Sequence, residues 1–413
     1  MAEVTKRIGL SLGADICWPL CFEHMMKRLD LKLPIAGDTV RFDVERVSIE
    51  PFDLAAPVKY DVVVDRLTHW LHSTREWMKK IVVHDDVYVF NNPWSIQANE
   101  KHTSYAAMMR LGMPIPKTFL LPAKSYDVAT QPDVKATLTQ YAKLFDVGVV
   151  GDAVGWPMFL KPYDGGGWRN VTRVKDKAAA LKAYNDSARS VMHAQASVEG
   201  FDLFVRCIGF GPQTHCVKYD ADAPLHDRYT MATDFMPQAD YDQLRKITLT
   251  INAFFGWDFN SCEALRRDGT WFPIDFANAC PDSQVTSLHF HFPWLVKSYL
   301  RWAIFCAATD RKVRHNLDWQ PFFDIAALDL PFSEKLDRYA KLAEQRLERD
   351  RFEEFCGKHL AHLDDVANDF FASAEAKDAV RKKTAALFPA HEVEKFTELF
   401  WQRIQTWRAS GQP

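Results

Sequence analysis

The chain has 413 residues, of which 47% are hydrophobic and 13% aromatic, and this length predicts two to four globular domains. Its 51 basic and 54 acidic side chains give a formal net charge of −3, so the excess of positive charge on which nucleic-acid binding depends is missing. The composition therefore predicts an ordinary globular protein with no nucleic-acid partner.

The first part of the chain alternates predicted strands and helices. RIGLSLG predicts a strand, and the apolar residues of CFEHMMKRLD recur at helical spacing behind it. YDVVVDRL at 60–67 and VYVFNNP at 87–93 predict two further strands, separated by the helical segment LTHWLHSTREWMKKIV. This alternation is typical of a parallel, Rossmann-like sheet, so we predict an N-terminal α/β domain over residues 1–115.

The pattern then changes to mixed α and β structure. A predicted helix over 133–145 is followed by a predicted loop over 148–156, which contains three glycines. Two strands are predicted over 157–161 and 170–174, with a glycine-rich loop between them. We group residues 116–197 as a small α+β subdomain.

The rest of the chain is predicted as two further segments. Residues 198–317 form a larger α+β subdomain, in which the turn Arg267-Asp268-Gly269 joins two strands. Residues 318–413 are predicted to be helical throughout, because apolar residues recur there at helical spacing. The expected fold class is therefore α/β and α+β, with a Rossmann-like N-terminal domain and a helical C-terminal region.

The glycine loop lies in FLKPYDGGGWRNV and contains Gly165, Gly166 and Gly167. It lacks the GxxxxGK pattern of a P-loop, and the strand pattern behind it excludes the GxGxxG dinucleotide motif, which opens a helix. Backbone N–H groups of such a hairpin can fold over a polyphosphate because no Cβ blocks the approach, and Lys161 on the preceding strand can neutralise charge. The alternative is a flexible surface hairpin with an incidental lysine.

A second candidate constellation is made of oxygen ligands. Glu263 and Asp275 lie on the two strands joined by the Arg267-Asp268-Gly269 turn, and Asn278 follows the second strand. Antiparallel pairing can place the two carboxylates at facing positions, and two carboxylates with an amide oxygen suit magnesium. The alternative is that Glu263 is a structurally paired carboxylate, while Asp275 and Asn278 form a turn.

These two stretches together resemble the ATP-grasp superfamily. GWPMFLKPYDGGGWRNV matches its lysine strand and glycine-rich loop, and GWDFNSCEALRRDGTWFPIDFANACPD matches its terminal carboxylate strand. The segment NNPWSIQANEKHTSYAAMMRLGMPIPKTFLL is similar to the part of the family that leaves the preceding α/β domain. The likeness is to the carboxylate–amine ligase type, such as D-alanine ligase and glutathione synthetase-like enzymes, and it leaves the C-terminal helices unmatched.

The resemblance implies ATP and Mg²⁺ as cofactors and a role for each matched residue. Lys161 and Lys101 would contact ATP, and the backbone from Gly165 to Gly167 would cover the β- and γ-phosphates. The backbone at Ser197 and Val198 would read adenine, Glu199 or Asp202 would reach the ribose, and Glu263, Asp275 and Asn278 would hold Mg²⁺.

Two positions depart from the family pattern. Phe204 stands where the family strand has an arginine, and Arg206 lies two residues further along the same face. We expect Arg206 and Arg228 to be the cations around the transferring phosphoryl group. Asp275 is a shorter acid than usual and is separated from Asn278 by one extra residue, which predicts a β-bulge.

The expected function is an ATP-dependent ligase that joins a carboxylate to an amine through an acyl phosphate and releases ADP and phosphate. A small-molecule kinase on the same fold and a nucleotide-binding module without turnover are the alternatives. The eight cysteines form no CxxC pair, which argues against disulfides and a zinc site. We expect a cytoplasmic protein with small-molecule substrates and no membrane partner, and the sequence identifies neither the substrates nor the oligomeric state.

Overall fold

The computed structural model of the chain contains two compact units. Unit 1 consists of Met1–Ala98, Phe204–Cys262 and Asn278–Pro413, and unit 2 consists of Asn99–Leu203 and Glu263–Ala277. The structure describes residues 2–12, 15–48, 50–66, 71–98, 100–125, 132–141, 145–163, 169–278 and 281–412.

Unit 1 begins with a five-stranded sheet of order β2-β3-β1-β4-β5, in which all neighbouring strands are parallel except the β2–β3 hairpin. The predicted parallel α/β arrangement is therefore confirmed. The hairpin was not predicted, and its turn is made by Gly37, whose φ of +90° favours glycine. The elements are β1 (Glu3–Leu12), α1 (Cys17–Leu29), β2 (Leu33–Ile35), β3 (Asp38–Arg46), β4 (Val62–Arg66), α2 (His72–Asp85), β5 (Tyr88–Phe90) and α3 (Pro93–Ala98).

Unit 2 contains an antiparallel four-stranded sheet of order β6-β9-β7-β8. Its strands β7 and β8 form the predicted hairpin, with Met158 opposite Val174 and Leu160 opposite Thr172. The elements are α4 (Lys101–Arg110), β6 (Thr118–Leu121), α5 (Pro132–Tyr141), α6 (Val147–Val154), β7 (Met158–Pro162), β8 (Thr172–Val174), α7 (Lys177–Asp186) and β9 (Met192–Ala196).

The loop predicted over 148–156 is wrong, because these residues lie mostly in helix α6. Asp146 caps the helix by accepting a hydrogen bond from the Gly148 N–H at 2.7 Å. Gly151 is required by packing, since a Cβ there would lie 2.1 Å from the indole ring of Trp156. The glycines thus allow close packing inside a helix, whereas their density in the sequence is typical of a loop.

Strand β12 is divided between the two units, because its residues up to Cys262 belong to unit 1 and those from Glu263 onward belong to unit 2. In unit 1 the sheet order is β11-β10-β12, and in unit 2 the second half of β12 pairs with β13. Helices then continue to the C-terminus, as the sequence predicts. The elements are β10 (Leu203–Phe210), β11 (Gln213–Lys218), α8 (Gln238–Phe255), β12 (Phe259–Arg267), β13 (Thr270–Asp275), α9 (Val285–Leu288), α10 (Phe292–Ala308), α11 (Gln320–Ala326), α12 (Phe332–Arg346), α13 (Arg349–His359), α14 (Leu363–Phe370), α15 (Ala374–Leu387) and α16 (Val393–Ser410).

The C-terminal helices share one hydrophobic core with the parallel sheet of unit 1. This core includes Ile8 and Val64 from the sheet together with Phe370, Phe371 and Trp407 from the helices. The helical region is therefore an integral part of unit 1. The predicted division of the chain into residues 1–115, 116–197, 198–317 and 318–413 stays a prediction.

Among the described helices, none is both long and apolar enough to cross a membrane.

Replacing Phe371 by Ala is expected to destabilise the protein by about 3–5 kcal/mol, because the ring is fully buried and its removal leaves a cavity. The ring packs edge-on against Trp407, with centroids 5.8 Å apart. The measurement is urea-induced unfolding followed by tryptophan fluorescence. Leu387→Ala is the control, because Leu387 is 53% exposed and its loss should change stability little. Equal stabilities for the two variants would contradict an integral C-terminal region.

Candidate functional site

A tight hairpin brings two of the predicted metal ligands together in unit 2. Asp268 and Gly269 have φ values of +51° and +73°, which is the pattern of a type I′ turn. The strands β12 and β13, which this turn joins, place Glu263 directly opposite Asp275. The facing position expected from the sequence is therefore present, while the role of the two carboxylates as metal ligands stays a prediction.

A β-bulge lies immediately before Asp275. Ala264 pairs with Pro273, whereas Glu263 pairs with Asp275, so Ile274 is the extra residue on β13. Its carbonyl oxygen accepts hydrogen bonds from Lys161 Nζ and from the Tyr105 hydroxyl, both at 2.8 Å. The sequence predicted a bulge between Asp275 and Asn278, and the observed bulge precedes both residues.

Lys161 lies on strand β7, on the face of the four-stranded sheet of unit 2 that is turned away from the core of this unit. It is paired across the strands with His193, and its Nζ donates to Gln195 Oε1 at 2.7 Å. The ammonium group also lies 5.1 Å from the centre of the Tyr105 ring. Burial lowers the pKa of Lys161 from 10.5 to about 8, despite the opposing effect of the nearby Asp275 carboxylate.

Lys101 is the second buried lysine of the site. It begins helix α4, and its Nζ donates to both carboxylate oxygens of Asp275 at 2.7 Å. The Lys101 side chain is 8% exposed and that of Asp275 is 27% exposed. Lys101 and Lys161 therefore bring two positive charges to the consecutive residues Ile274 and Asp275.

A neutral imidazole lies beside these charges. His193 is fully buried, and among the described residues neither of its ring nitrogens finds a hydrogen-bond partner. Burial lowers the pKa of His193 to about 3, and the positive charge of Lys161 lowers it further. His193 also packs against the rings of His102 and Tyr105 at centroid distances of 5.8 and 5.7 Å. It is therefore uncharged at neutral pH and does not compete with the lysines for an anion.

The residues predicted to read the base and the ribose are engaged with neighbours in unit 2. The Ser197 N–H donates to the Pro157 carbonyl at 3.2 Å, and the Ser197 hydroxyl donates to Glu199. Glu199 also accepts from Arg173 at 2.9 Å. Asp202 is ion-paired with Arg266, and Val198 is buried. Both acids thus already accept hydrogen bonds from neighbours in unit 2.

Two predicted site residues meet in unit 1 through a serine. Arg206 Nε and Asn278 Nδ2 both donate to Ser261 Oγ at 3.1 Å. The Arg206 guanidinium is buried and lies 5.4 Å from the centre of the Tyr229 ring. Arg228 is placed differently, since its Nε donates to the Ala223 carbonyl at 3.2 Å within the same loop.

Gly165, Gly166 and Gly167 lie outside the described residues. Within the described part of the chain there is no group of three or more histidine, cysteine or acidic residues that could hold a metal ion. The predicted magnesium ligands contain only two acids, and their facing carboxylate oxygens have the hard chemistry that magnesium prefers. The chemistry of these donors is compatible with Mg²⁺, and the binding of the ion here stays a prediction.

Sequence reasoning missed Tyr105, His193, Gln195 and Ser261. A signal for two of them is present in MHAQA at 192–196, where a polar residue recurs at every second position of an otherwise apolar strand. Alternation places those residues on the face opposite the core, together with Lys161. Tyr105 and Ser261 have no comparable signal, because their contacts join residues distant in sequence.

No protein-family model and no curated protein matches the chain. Several solved structures are similar in fold. D-alanine–D-alanine ligase from Bacillus anthracis complexed with ATP has a TM-score of 0.49 and 14% identity, covering 74% of this chain and 97% of that one. An ATP-grasp RimK domain protein from Sphaerobacter thermophilus has a TM-score of 0.46 and 12% identity, covering 68% and 94%.

Carboxyaminoimidazole ribonucleotide synthase from Aspergillus clavatus, complexed with ATP, has a TM-score of 0.44 and 13% identity, covering 66% of this chain and 69% of that one. At these TM-scores the likeness by itself assigns neither a reaction nor a ligand to this protein.

Replacing Lys161 by Met is expected to remove a pH-dependent part of the stability. The pKa of Lys161 is about 8 in the folded protein and 10.5 in its ordinary, unfolded environment. Below about pH 8 the Lys161 side chain is therefore charged in both the folded and the unfolded protein, and folding carries the full cost of burying that charge. Between pH 8 and 10.5 the folded state loses its proton first, and the wild type gains stability relative to Lys161→Met. Urea unfolding of both proteins at about pH 7 and pH 10 measures this change. A difference in the free energy of unfolding that is independent of pH would contradict it.

Proposed function

We propose that this protein is an ATP-dependent ligase that joins a carboxylate to an amine through an acyl phosphate. The observation that carries the proposal is the convergence of two buried lysines, Lys101 and Lys161, on the strand that bears Asp275 opposite Glu263. Two buried cations beside a pair of carboxylates are the components needed to hold a polyphosphate and a divalent ion.

Lys161 supports this proposal because its charge is costly in its place. Burying an ammonium group is unfavourable unless an anion compensates it. Its described hydrogen-bond partners, Gln195 Oε1 and the Ile274 carbonyl, are neutral oxygens that orient the group without neutralising it. A perturbed, oriented lysine of this kind favours a functional role, here the binding of the ATP phosphates.

The remaining nucleotide contacts follow the sequence prediction. The backbone at Ser197 and Val198 would read adenine, and Glu199 or Asp202 would accept a hydrogen bond from the ribose. The backbone of Gly165, Gly166 and Gly167 would cover the β- and γ-phosphates. These assignments are part of the proposal.

The carboxylates would hold Mg²⁺ together with Asn278. The ion, when bound, supplies positive charge that stabilises the phosphoryl oxygens during transfer. Lys101 now neutralises Asp275, and in the proposal it moves to the ATP phosphates when the metal takes its place. The exchange replaces a monovalent cation at the carboxylate by a divalent one, and the displaced ammonium is then available to the negatively charged ATP phosphates.

The proposed reaction has two displacements. A substrate carboxylate oxygen attacks the γ-phosphorus, the bond from that phosphorus to the bridging oxygen breaks, and ADP leaves. The amine nitrogen then attacks the acyl carbon, the bond from that carbon to the phosphate oxygen breaks, and phosphate leaves while the nitrogen loses a proton. Positioning and charge stabilisation suffice for these steps, and Arg206 and Arg228 are the proposed cations around the transferring group.

Asp275→Asn is expected to reduce turnover far more than nucleotide affinity, by about 100-fold or more, because it removes a metal-binding charge at nearly constant size. The measurement is ADP and phosphate release with a competent carboxylate and amine, alongside calorimetric binding of ATP. Asp268→Asn is a matched control on the same hairpin, since asparagine is equally suited to a type I′ turn.

The products decide between the proposal and its alternatives. A ligase of this type releases ADP and phosphate and needs both substrates for full turnover. Phosphate retained on an organic product would indicate a kinase, and tight ATP binding without turnover on any tested substrate pair would indicate a binding module. Release of AMP and pyrophosphate would contradict the acyl-phosphate route.

Lys101→Met is expected to change metal and nucleotide affinity in opposite directions. Without the competing ammonium, Asp275 should bind Mg²⁺ more tightly in the absence of nucleotide, whereas ATP should bind more weakly because one phosphate contact is lost. Calorimetric titration with Mg²⁺ alone and with ATP measures both effects. Lys175→Met, which removes an exposed lysine of the same unit, is the control. An unchanged Mg²⁺ affinity in Lys101→Met would show that no such exchange takes place.

A further inference from the structure

Unit 1 contains a cavity of about 300 Å³ that the proposed reaction does not use. It lies beside the edge strand β5, which contributes Tyr88 and Val89 to its lining. The lining combines aromatic and basic side chains, which are Tyr88, Trp257, Arg311, Lys312, Arg314 and Arg346.

The floor of the cavity is a closed hydrogen-bond network. Asp258 Oδ1 accepts from the Tyr88 hydroxyl at 2.6 Å and from Trp302 Nε1 at 2.8 Å. Arg311 Nε donates to the Tyr88 oxygen at 3.0 Å, and the same guanidinium is ion-paired with Glu348. Both carboxylates in the lining, Asp258 and Glu348, therefore already bind partners within this network. Neither is available to neutralise the other cations of the cavity.

The wall carries a further buried cation. The Arg346 side chain is 6% exposed and donates mainly to backbone carbonyls, including that of Leu317 at 2.9 Å. Its nearest carboxylate contact is with the half-exposed Asp318 at 3.7 Å. Burial lowers the pKa of Arg346 to about 10, and the like charge of Arg314 lowers it further. The cavity wall thus has a positive potential that the protein does not fully compensate.

The rim carries two exposed cations, Lys312 and Arg314. In the part of the chain that the structure describes, no residue forms a hydrogen bond or an ion pair with either side chain. Lys312 and Arg314 are two residues apart in the segment that follows α10, so both flank the same opening. Their N–H groups are therefore available to a ligand.

We propose that this cavity binds a small phosphomonoester. The phosphate dianion matches the charge of the two exposed rim cations, and guanidinium groups bind phosphate oxygens through paired hydrogen bonds. The apolar surfaces of Tyr88, Val89 and Trp257 would hold the organic part. The volume lies at the lower end of the range for small-molecule sites, which limits the ligand to a compact metabolite. This proposal does not depend on the proposed ligase activity.

The test is calorimetric titration of the full chain with glycerol 3-phosphate. The wild type should bind it, with an affinity that falls as salt is added, and the double variant Lys312→Gln, Arg314→Gln should bind at least about tenfold more weakly. Both substitutions are at exposed side chains, so the fold should be kept. Arg267→Gln, at an exposed cation in unit 2, should bind like the wild type.

A further variant separates this site from the nucleotide site. Lys161→Met should keep its affinity for glycerol 3-phosphate if the cavity is the site. Weakened binding in Lys161→Met and unchanged binding in the double variant would place the phosphate at the nucleotide site and overturn the proposal. Absence of binding to the wild type at millimolar ligand, or equal competition by acetate at the same ionic strength, would also overturn it.

Discussion

The candidate site depends on one extra residue in a β-strand. With regular pairing after Ala264 and Pro273, Glu263 would face Ile274, and Asp275 would point to the other side of the sheet. The bulge at Ile274 moves Asp275 into the position opposite Glu263. It also leaves the Ile274 carbonyl to accept from Lys161 and Tyr105, so the same irregularity positions a carboxylate and orients a lysine.

The electrostatics of unit 2 follow from two buried lysines that have different hydrogen-bond partners. Gln195 and the Ile274 carbonyl hold the Lys161 ammonium without cancelling its charge, and the neighbouring His193 stays neutral because burial lowers its pKa to about 3. Lys101 differs, since its charge is matched by both oxygens of Asp275. The two lysines therefore suit different tasks in the proposed reaction: one is a fixed phosphate contact and the other is an exchangeable counter-ion.

The C-terminal helices contribute both to the hydrophobic core of unit 1 and to the wall of its cationic cavity. Phe370, Phe371 and Trp407 complete the core under the parallel sheet, while Arg346 at the end of α12 forms part of the cavity wall. The cavity therefore combines residues of the C-terminal helices with residues from strand β5, the end of α8 and the segment after α10.

The sequence by itself determined the features that depend on neighbouring residues. Alternating strands and helices near the N-terminus, the Asp268-Gly269 turn, the β7–β8 hairpin with Lys161 on its first strand, and the helical C-terminal region all follow from local periodicity and turn chemistry. The tertiary structure decided the rest. Helix α6 forms where glycines predicted a loop, and Gly151 in it allows the close packing of Trp156. Likewise, Tyr105, Gln195 and Ile274 meet Lys161 only through packing between elements far apart in the chain, and no local pattern of residue types encodes such contacts.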